Sequence, residues 1–258
     1  MPAVYDHYLV PLIFRPFAED LAARAAALHP RRVLELAAGT GALTSTLLAV
    51  APSAEVTATD LNEAMVTLGS VRSPGAVWRQ ADAQRLPFPD DAFDLVVCQF
   101  GVMFLPDRVA AFTEVRRVLA PGGRFLFNTW GPLGTHAFGS ALQAGLERAF
   151  PDDPPQFLPT VPHGYADPAV VTDDLAFAGF AVEEERELTL EGRAASAADV
   201  ATGFLAGTPL RAVVEERGGG PAVRATVIEE LTARLGSGPV AALMKAYVFR
   251  SAADSHDK

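Results

Sequence analysis

The residues best placed to do chemistry begin with an acid set just ahead of a glycine turn, in the stretch Val33 to Leu43, VLELAAGTGAL. Val33, Leu34 and Leu36 form a short apolar run that contains Glu35. Ala37, Ala38, Gly39, Thr40 and Gly41 follow before a helical pattern starts. This reads as a buried strand turning tightly into a helix. Glycines at such a turn let backbone approach a ligand closely, and the first N–H groups of the helix, which lack intrahelical acceptors, point at it. Glu35 narrows the choice of ligand: a carboxylate two positions before the turn repels a pyrophosphate and suits a cation. The dinucleotide pattern G-x-G-x-x-G is incomplete, because Gly39-Thr40-Gly41-Ala42-Leu43-Thr44 lacks the third glycine, and there is no G-x-x-x-x-G-K-[ST] phosphate loop. A strand-helix turn that binds nothing is the plain alternative.

A second acid closes the next apolar stretch. Glu55 to Thr59 reads as a strand ending in Asp60, 19 residues beyond Gly41. That is close to the interval at which an acid reaches a ribose diol, whose paired hydroxyls match the two oxygens of one carboxylate. Asp60 could equally cap the helix that begins at Asn62 or Glu63. Asp82, after a third strand over Ala76 to Gln80, sits where a side-chain acceptor would meet an exocyclic amine, or where a turn needs an Asp. Leu95 to Cys98 is short and continuously apolar, so it should be buried on both faces. Gln99, Phe100 and Gly101 follow at the end where ligands sit in open parallel sheets. Cys98 reads as core, since no histidine or lysine lies near it to activate the thiol.

The elements that must hold these residues alternate strand and helix, which implies a doubly wound parallel sheet. Helices are expected over about 44–50, 63–69 and 108–119, the last with Val109, Phe112, Val115, Val118 and Leu119 on one face. Ala120-Pro-Gly-Gly123 stops that helix and leads into a fifth strand, Arg124 to Thr129. Ahead of all this, Pro11 and Pro16 punctuate an aromatic and alanine-rich segment, predicting a short helix, a break and a longer helix to Leu28. It either packs on the sheet edge or covers the ligand with Tyr5 or Tyr8.

At 258 residues the chain fits one domain with elaborations, and half its residues are hydrophobic. A formal charge of −10, with 21 scattered basic residues, argues against a nucleic-acid partner. One cysteine excludes an intrachain disulfide and a multi-cysteine zinc site. Asp6, Arg15, Glu19 and Asp20 interrupt the first thirty residues, and no apolar run approaches the roughly 20 residues of a membrane span. The expectation is a cytoplasmic protein with no membrane partner.

Taken together, these motifs resemble the class I S-adenosylmethionine-dependent methyltransferases, specifically the small-molecule group allied to the ubiquinone and menaquinone biosynthesis enzymes. VLELAAGTGAL resembles their first motif, TATDLNEAM the ribose-binding acid with its helix, ADAQRLPFPDDAFD the adenine-side loop, and LAPGGRFLF the approach to the fifth strand. The match covers about Arg31 to Thr129, with similar texture through GYADPAVVTDDLAFAGF. Ala37 departs from it, standing where glycine is common, and implies a slightly tighter pocket. The resemblance implies a seven-stranded, mostly parallel, Rossmann-like sheet with helical lid insertions. It places Glu35, Ala37, Gly39 and Gly41 on the methionine side of S-adenosylmethionine, with Asp60 on the ribose. Leu61 and Met65 fall on one adenine face, Asp82 and Ala83 on its edge, and Gln99 and Phe100 beside the methionine and the reactive methyl. The cationic ammonium and sulfonium of this cofactor agree with the reading of Glu35.

Beyond Trp130 the chain leaves that common core. Helices are expected over 136–150, 173–179, 195–206 and 222–235, and irregular structure over the proline-rich 151–162. The sixth strand should run from Phe180 to Leu190 and the last from Lys245 to Ser251, antiparallel and inserted beside the sixth. SHDK at the end should be disordered. The whole reads as one methyltransferase domain, with 1–30 as cover and 131–168 and 195–220 as lid and acceptor pocket. Phe138, Phe150, Phe157 and Phe204 would make that pocket apolar unless they are ordinary core. Among His136, His163 and Tyr165, His163 in Pro-His-Gly-Tyr is the preferred base, although a lone histidine is often structural. No metal is required.

The expected reaction is in-line transfer of methyl from the sulfonium to a small nucleophile, which asks mainly for orientation, desolvation and at most one base. A protein that binds the cofactor without transferring methyl is the alternative. A nicotinamide-dependent reductase is disfavoured by Glu35 and the missing third glycine.

Overall fold

The computed structural model describes residues 1–253, so the SHDK tail lies outside the described residues. Seven strands form one sheet: β1 (Arg32–Leu36), β2 (Glu55–Asp60), β3 (Val77–Gln80), β4 (Phe93–Gln99), β5 (Leu119–Trp130), β6 (Phe180–Ala194) and β7 (Val240–Ala253). Their order is β3-β2-β1-β4-β5-β7-β6. The β1/β2, β1/β4, β2/β3 and β4/β5 pairs are all parallel. The winding reverses between β1 and β4, and the carboxyl ends of two such strands form the crevice in which open α/β sheets bind ligands.

The helices are α1 (Pro2–Val4), α2 (Arg15–Ala27), α3 (Ala42–Val50), α4 (Glu63–Arg72), α5 (Arg108–Val118) and α6 (Ala137–Ala149). They continue with α7 (Phe157–Thr160), α8 (Pro168–Phe177), α9 (Ala197–Gly207), α10 (Leu210–Glu216) and α11 (Pro221–Leu235). Several begin where short polar side chains cap them. Asn62 accepts from Ala64 N, Asp107 from Ala110 N and Asp167 from Ala169 N, each at 2.9 Å. Such caps satisfy N–H groups that the helix itself leaves orphaned.

The described residues divide into two compact units. One comprises 17–129, 165–188 and the chain from 246. Its core joins Ala18, Leu21, Ala22 and Ala25 of α2 to Val33, Val56, Leu95, Val97, Leu126 and Val248 of the strands. The other comprises 1–16, 130–164 and 189–245. The expected cover and insertions, 1–30, 131–168 and 195–220, fall largely in this second unit, which also takes in α11 and the start of β7.

Four features differ from expectation. No break separates the first helices: Tyr5–Phe14 is π-helical, with Arg15 N–H reaching the carbonyl of Val10, five residues back. Pro11 has no N–H to give and crowds the preceding turn, and the wider turn takes it up. Ala120-Pro-Gly-Gly123 loops out within β5 instead of preceding it. Phe93 pairs with Leu119 and Leu95 with Arg124, so β4 advances two residues while β5 advances five. The proline-rich 151–162 contains the single turn α7, and α10 had no counterpart in the reading. β7 does lie beside β6, between it and β5.

Among the described residues no helix is long and apolar enough to cross a membrane. Nor does any group of three or more His, Cys, Asp or Glu among them have the arrangement of a metal site.

Candidate functional site

The turn between β1 and α3 is built from left-handed backbone, with φ of +51° at Ala37, +58° at Gly39 and +90° at Gly41. Glycine adopts this region without penalty, whereas Ala37 does so against its Cβ. Gly41 is constrained twice, since a Cβ there would lie 3.1 Å from the Trp78 ring. Thr40 is buried, and its hydroxyl makes no hydrogen bond among the described residues.

Two acids organise the turn. Glu35 is 1 % exposed and accepts a 2.6 Å hydrogen bond from the Thr44 hydroxyl at the start of α3. Burial pushes its carboxyl up to about 8, against the hydrogen bonds from Thr44 and with some help from the Asp60 charge. No cationic side chain pairs with Glu35 among the described residues. The strand-to-helix step is pinned a second time by the Thr59 hydroxyl, which donates to the Glu35 carbonyl at 2.8 Å.

Asp60, at the carboxyl end of β2, accepts from Gly39 N at 2.8 Å through Oδ2 and from Asn62 N at 2.9 Å through Oδ1. It therefore ties the β1 turn to the β2 turn. The cap of α4 is Asn62, which removes the capping alternative for Asp60. Each Asp60 oxygen keeps a further lone pair. Burial raises this carboxyl above its ordinary value, opposed by those two backbone donors.

The neighbouring candidates divide. Leu61 is 67 % exposed beside Asp60, an unusual degree for a leucine, while Met65 is 9 % exposed on α4. Asp82 is exposed, and its hydrogen bonds, from Gln84 N at 2.9 Å and Gln84 Nε2 at 3.4 Å, both fall on Oδ1, which is the turn role. Ala83 is half-buried next to it. Gln99 closes β4 and is half-buried. Phe100 has φ +50° and is 4 % exposed, with its ring edge-on to Phe17 at 5.2 Å. What Phe100 offers the strand end is therefore backbone. Cys98 is a buried core thiol, pushed up to about 12 by burial and unreactive on that account.

The expected base lies in a buried pair of histidines. His163 is 8 % exposed, and its Nδ1 donates to the Gly131 carbonyl at 2.8 Å. Burial lowers its imidazole to about 4, too weak a base to be poised near neutral pH. Its ring lies 5.3 Å from that of His136, which burial and His163 lower to about 3. His136 Nδ1 accepts from Gly139 N at 3.0 Å and so caps α6. Burial favours the neutral form of both rings, and each has a backbone hydrogen-bond partner. Tyr165 is likewise committed: its hydroxyl donates to Asp174 at 2.7 Å and the Arg108 guanidinium sits 4.1 Å over its ring. Burial, then Asp174, raises its phenol.

Tyr5, expected as a cover, has its ring 5.0 Å from that of Phe14 in a tilted arrangement within its own unit. Phe138 and Phe204 are 0 % and 6 % exposed and belong to the core of that unit. Thr44, Thr59 and Asn128 were not singled out from the residues alone. Thr44 had a usable signal, a hydroxyl three residues past the glycine turn.

Comparison with known proteins agrees with this geometry. A family model described as a methyltransferase domain matches residues 34–127. A demethylmenaquinone methyltransferase of Thermus thermophilus is 35% identical over 187 residues, covering 67% of this chain and 84% of that one. A ubiquinone/menaquinone biosynthesis C-methyltransferase, UbiE, of Burkholderia orbicola is 41% identical over 111 residues, 40% of this chain and 46% of its own. The YcgJ protein of Bacillus subtilis superposes with a TM-score of 0.56 at 18% identity, covering 91% of this chain and 98% of that one, a likeness of fold alone. On the strength of that Thermus relative and the matching family model, the chain belongs to the class I S-adenosylmethionine-dependent methyltransferases and uses S-adenosylmethionine as methyl donor.

Proposed function

We propose that the protein methylates a small-molecule acceptor and that the β1–β2–β4 strand ends hold the donor. The observation that carries this reading is Glu35, a fully buried carboxyl with no cationic partner. Burial without a counter-charge holds this acid toward its neutral form, and a ligand that brings a positive charge would let it ionise, which a purely structural role does not call for. The donor set fits: the Glu35 carboxyl and the Ala37–Gly39–Gly41 turn suit the cationic methionine arm. Asp60 suits the ribose diol, exposed Leu61 with Met65 suits an adenine face, and Asp82 with Ala83 suits its edge. Gln99 and the Phe100 backbone close the reacting end.

When bound, the cofactor supplies an electrophilic methyl on a sulfonium. The chain's own contribution is orientation and exclusion of water. We assign acceptor recognition to the segments 131–168 and 195–220. The acceptor class follows the relatives, one of which is named for demethylmenaquinone.

The test is calorimetric titration with S-adenosylhomocysteine, followed by incubation with methyl-labelled S-adenosylmethionine and a panel of quinone, phenol and amine acceptors. Labelled product supports the reading. Binding with no labelled product across the panel supports the alternative of a cofactor-binding protein without transferase activity, and no binding overturns both.

A further inference from the structure

Asn128 lies near the end of β5, opposite Gln99 in the parallel β4/β5 register. It is 1 % exposed, and its Oδ1 accepts from Phe100 N at 2.8 Å, a bond buried at both ends. The donor fixes which way the amide faces, because an N–H needs the oxygen. Its Nδ2 is buried and makes no hydrogen bond among the described residues. A leucine would fill the same space but would leave the buried Phe100 N–H without its acceptor, so packing alone does not account for an asparagine here.

Phe100 supplies the reason. It is the first residue past β4, and at φ +50° it turns the chain left-handed without being glycine. At this turn the Phe100 N–H, just past the end of β4, finds a side-chain acceptor, Asn128. The next residue, Gly101, is wedged against the other turn of the site, for a Cβ there would fall 2.5 Å from Ala37 Cβ and 2.6 Å from Cys98 Sγ. Holding Phe100 N thus holds the β4 turn against the β1 turn, at the two strand ends assigned to the methionine arm.

We infer that Asn128 is a positioning residue for the methyl donor, acting through the Phe100 main chain. This rests on the cofactor site proposed above. The donor's methionine arm needs the turns after β1 and β4 in fixed register, and the Asn128–Phe100 bond sets that register from the neighbouring strand.

Two full-length variants separate the parts of the side chain. Asn128→Leu keeps the volume and deletes the acceptor, whereas Asn128→Asp keeps the acceptor oxygen and deletes the amide NH2. Titrated with S-adenosylhomocysteine, folded Asn128→Leu should bind at least about tenfold more weakly than wild type, and Asn128→Asp within about twofold. A folded Asn128→Leu with unchanged affinity, or equal losses in both variants, would overturn the proposal.

Hydrogen exchange on the wild type needs no variant and stands even if Asn128→Leu does not fold. The Phe100 amide should exchange at least about tenfold more slowly with S-adenosylhomocysteine bound, and an unchanged rate marks the bond as merely structural. If wild type takes up no S-adenosylhomocysteine, the cofactor site itself fails and this inference with it. Uptake with unchanged Asn128→Leu affinity removes this inference alone.

Discussion

The methyl group of Ala37 occupies the space that a side chain at Gly101 would need, the two Cβ positions falling 2.5 Å apart. Ala37 holds that place in left-handed backbone at φ +51°. The turn after β1 and the turn after β4 are thus fitted to each other, one carrying a methyl and the other none.

Gly101→Ala should therefore lower stability by about 1–3 kcal/mol, the usual cost of overpacking. Ala37→Gly should raise it by roughly 0.5–1 kcal/mol by releasing left-handed strain, partly offset by a freer unfolded chain. The double variant should stay below wild type, since Cys98 Sγ lies 2.6 Å from the same Cβ position. Urea unfolding of the three proteins checks this, and a Gly101→Ala protein as stable as wild type contradicts it.

Asp60→Ala should weaken S-adenosylhomocysteine binding by roughly 1.5–3 kcal/mol, on the scale for losing a charged hydrogen-bonding partner. The same change frees Gly39 N and Asn62 N, so the thermal midpoint should be followed alongside. Calorimetry showing undiminished affinity would refute the ribose assignment.

Glu35, at about 8, is mostly protonated in the ligand-free protein at pH 6.5, while an α-amino group is still charged there. Binding a cation beside it should ionise it, so the complex should release close to one proton at that pH. Titrations in two buffers of different ionisation enthalpy report the number, and Glu35→Gln should bring it near zero. A wild-type value already near zero means that Glu35 does not face the cation.

His136 and His163 sit below their ordinary value, at about 3 and about 4. A histidine depressed in the folded state contributes stability above its unfolded value of 6.5, and loses that contribution as pH falls toward the folded value. At pH 5 the loss should be about 2 kcal/mol for each ring. Urea unfolding at pH 7 and pH 5 should show a smaller drop for His136→Asn/His163→Asn than for wild type. Parallel drops would mean that the rings are already charged in the fold.

Much of the site was legible because its signals are local. A strand, a glycine turn and a helix N-terminus lie within a dozen consecutive residues, and a strand-end acid follows at a fixed interval. Asp60 was found that way, and its tie to Gly39 then replaced the capping alternative. The surroundings of His163 were not legible, for the opposite reason. A histidine among Pro, Gly and Tyr looks like a loop residue, and nothing in those neighbours records that the ring is buried beside His136 and bonded to Gly131. Pro11 likewise predicted a break, because local rules do not foresee a wide helical turn that absorbs it.

The amino-acid sequence alone determined the alternation of strands and helices, the acid before the turn and the acid after the next strand. Each depends on hydrophobic period, backbone freedom at small residues and chain spacing, all of which are properties of neighbours in sequence. Only the tertiary structure decided that Glu35 has no cationic partner, that Ala37 and Gly101 share one space and that Asn128 answers Phe100 from 28 residues away. Burial, partner choice and steric fit belong to segments distant in the chain, and they acquire values only when the strands are laid side by side.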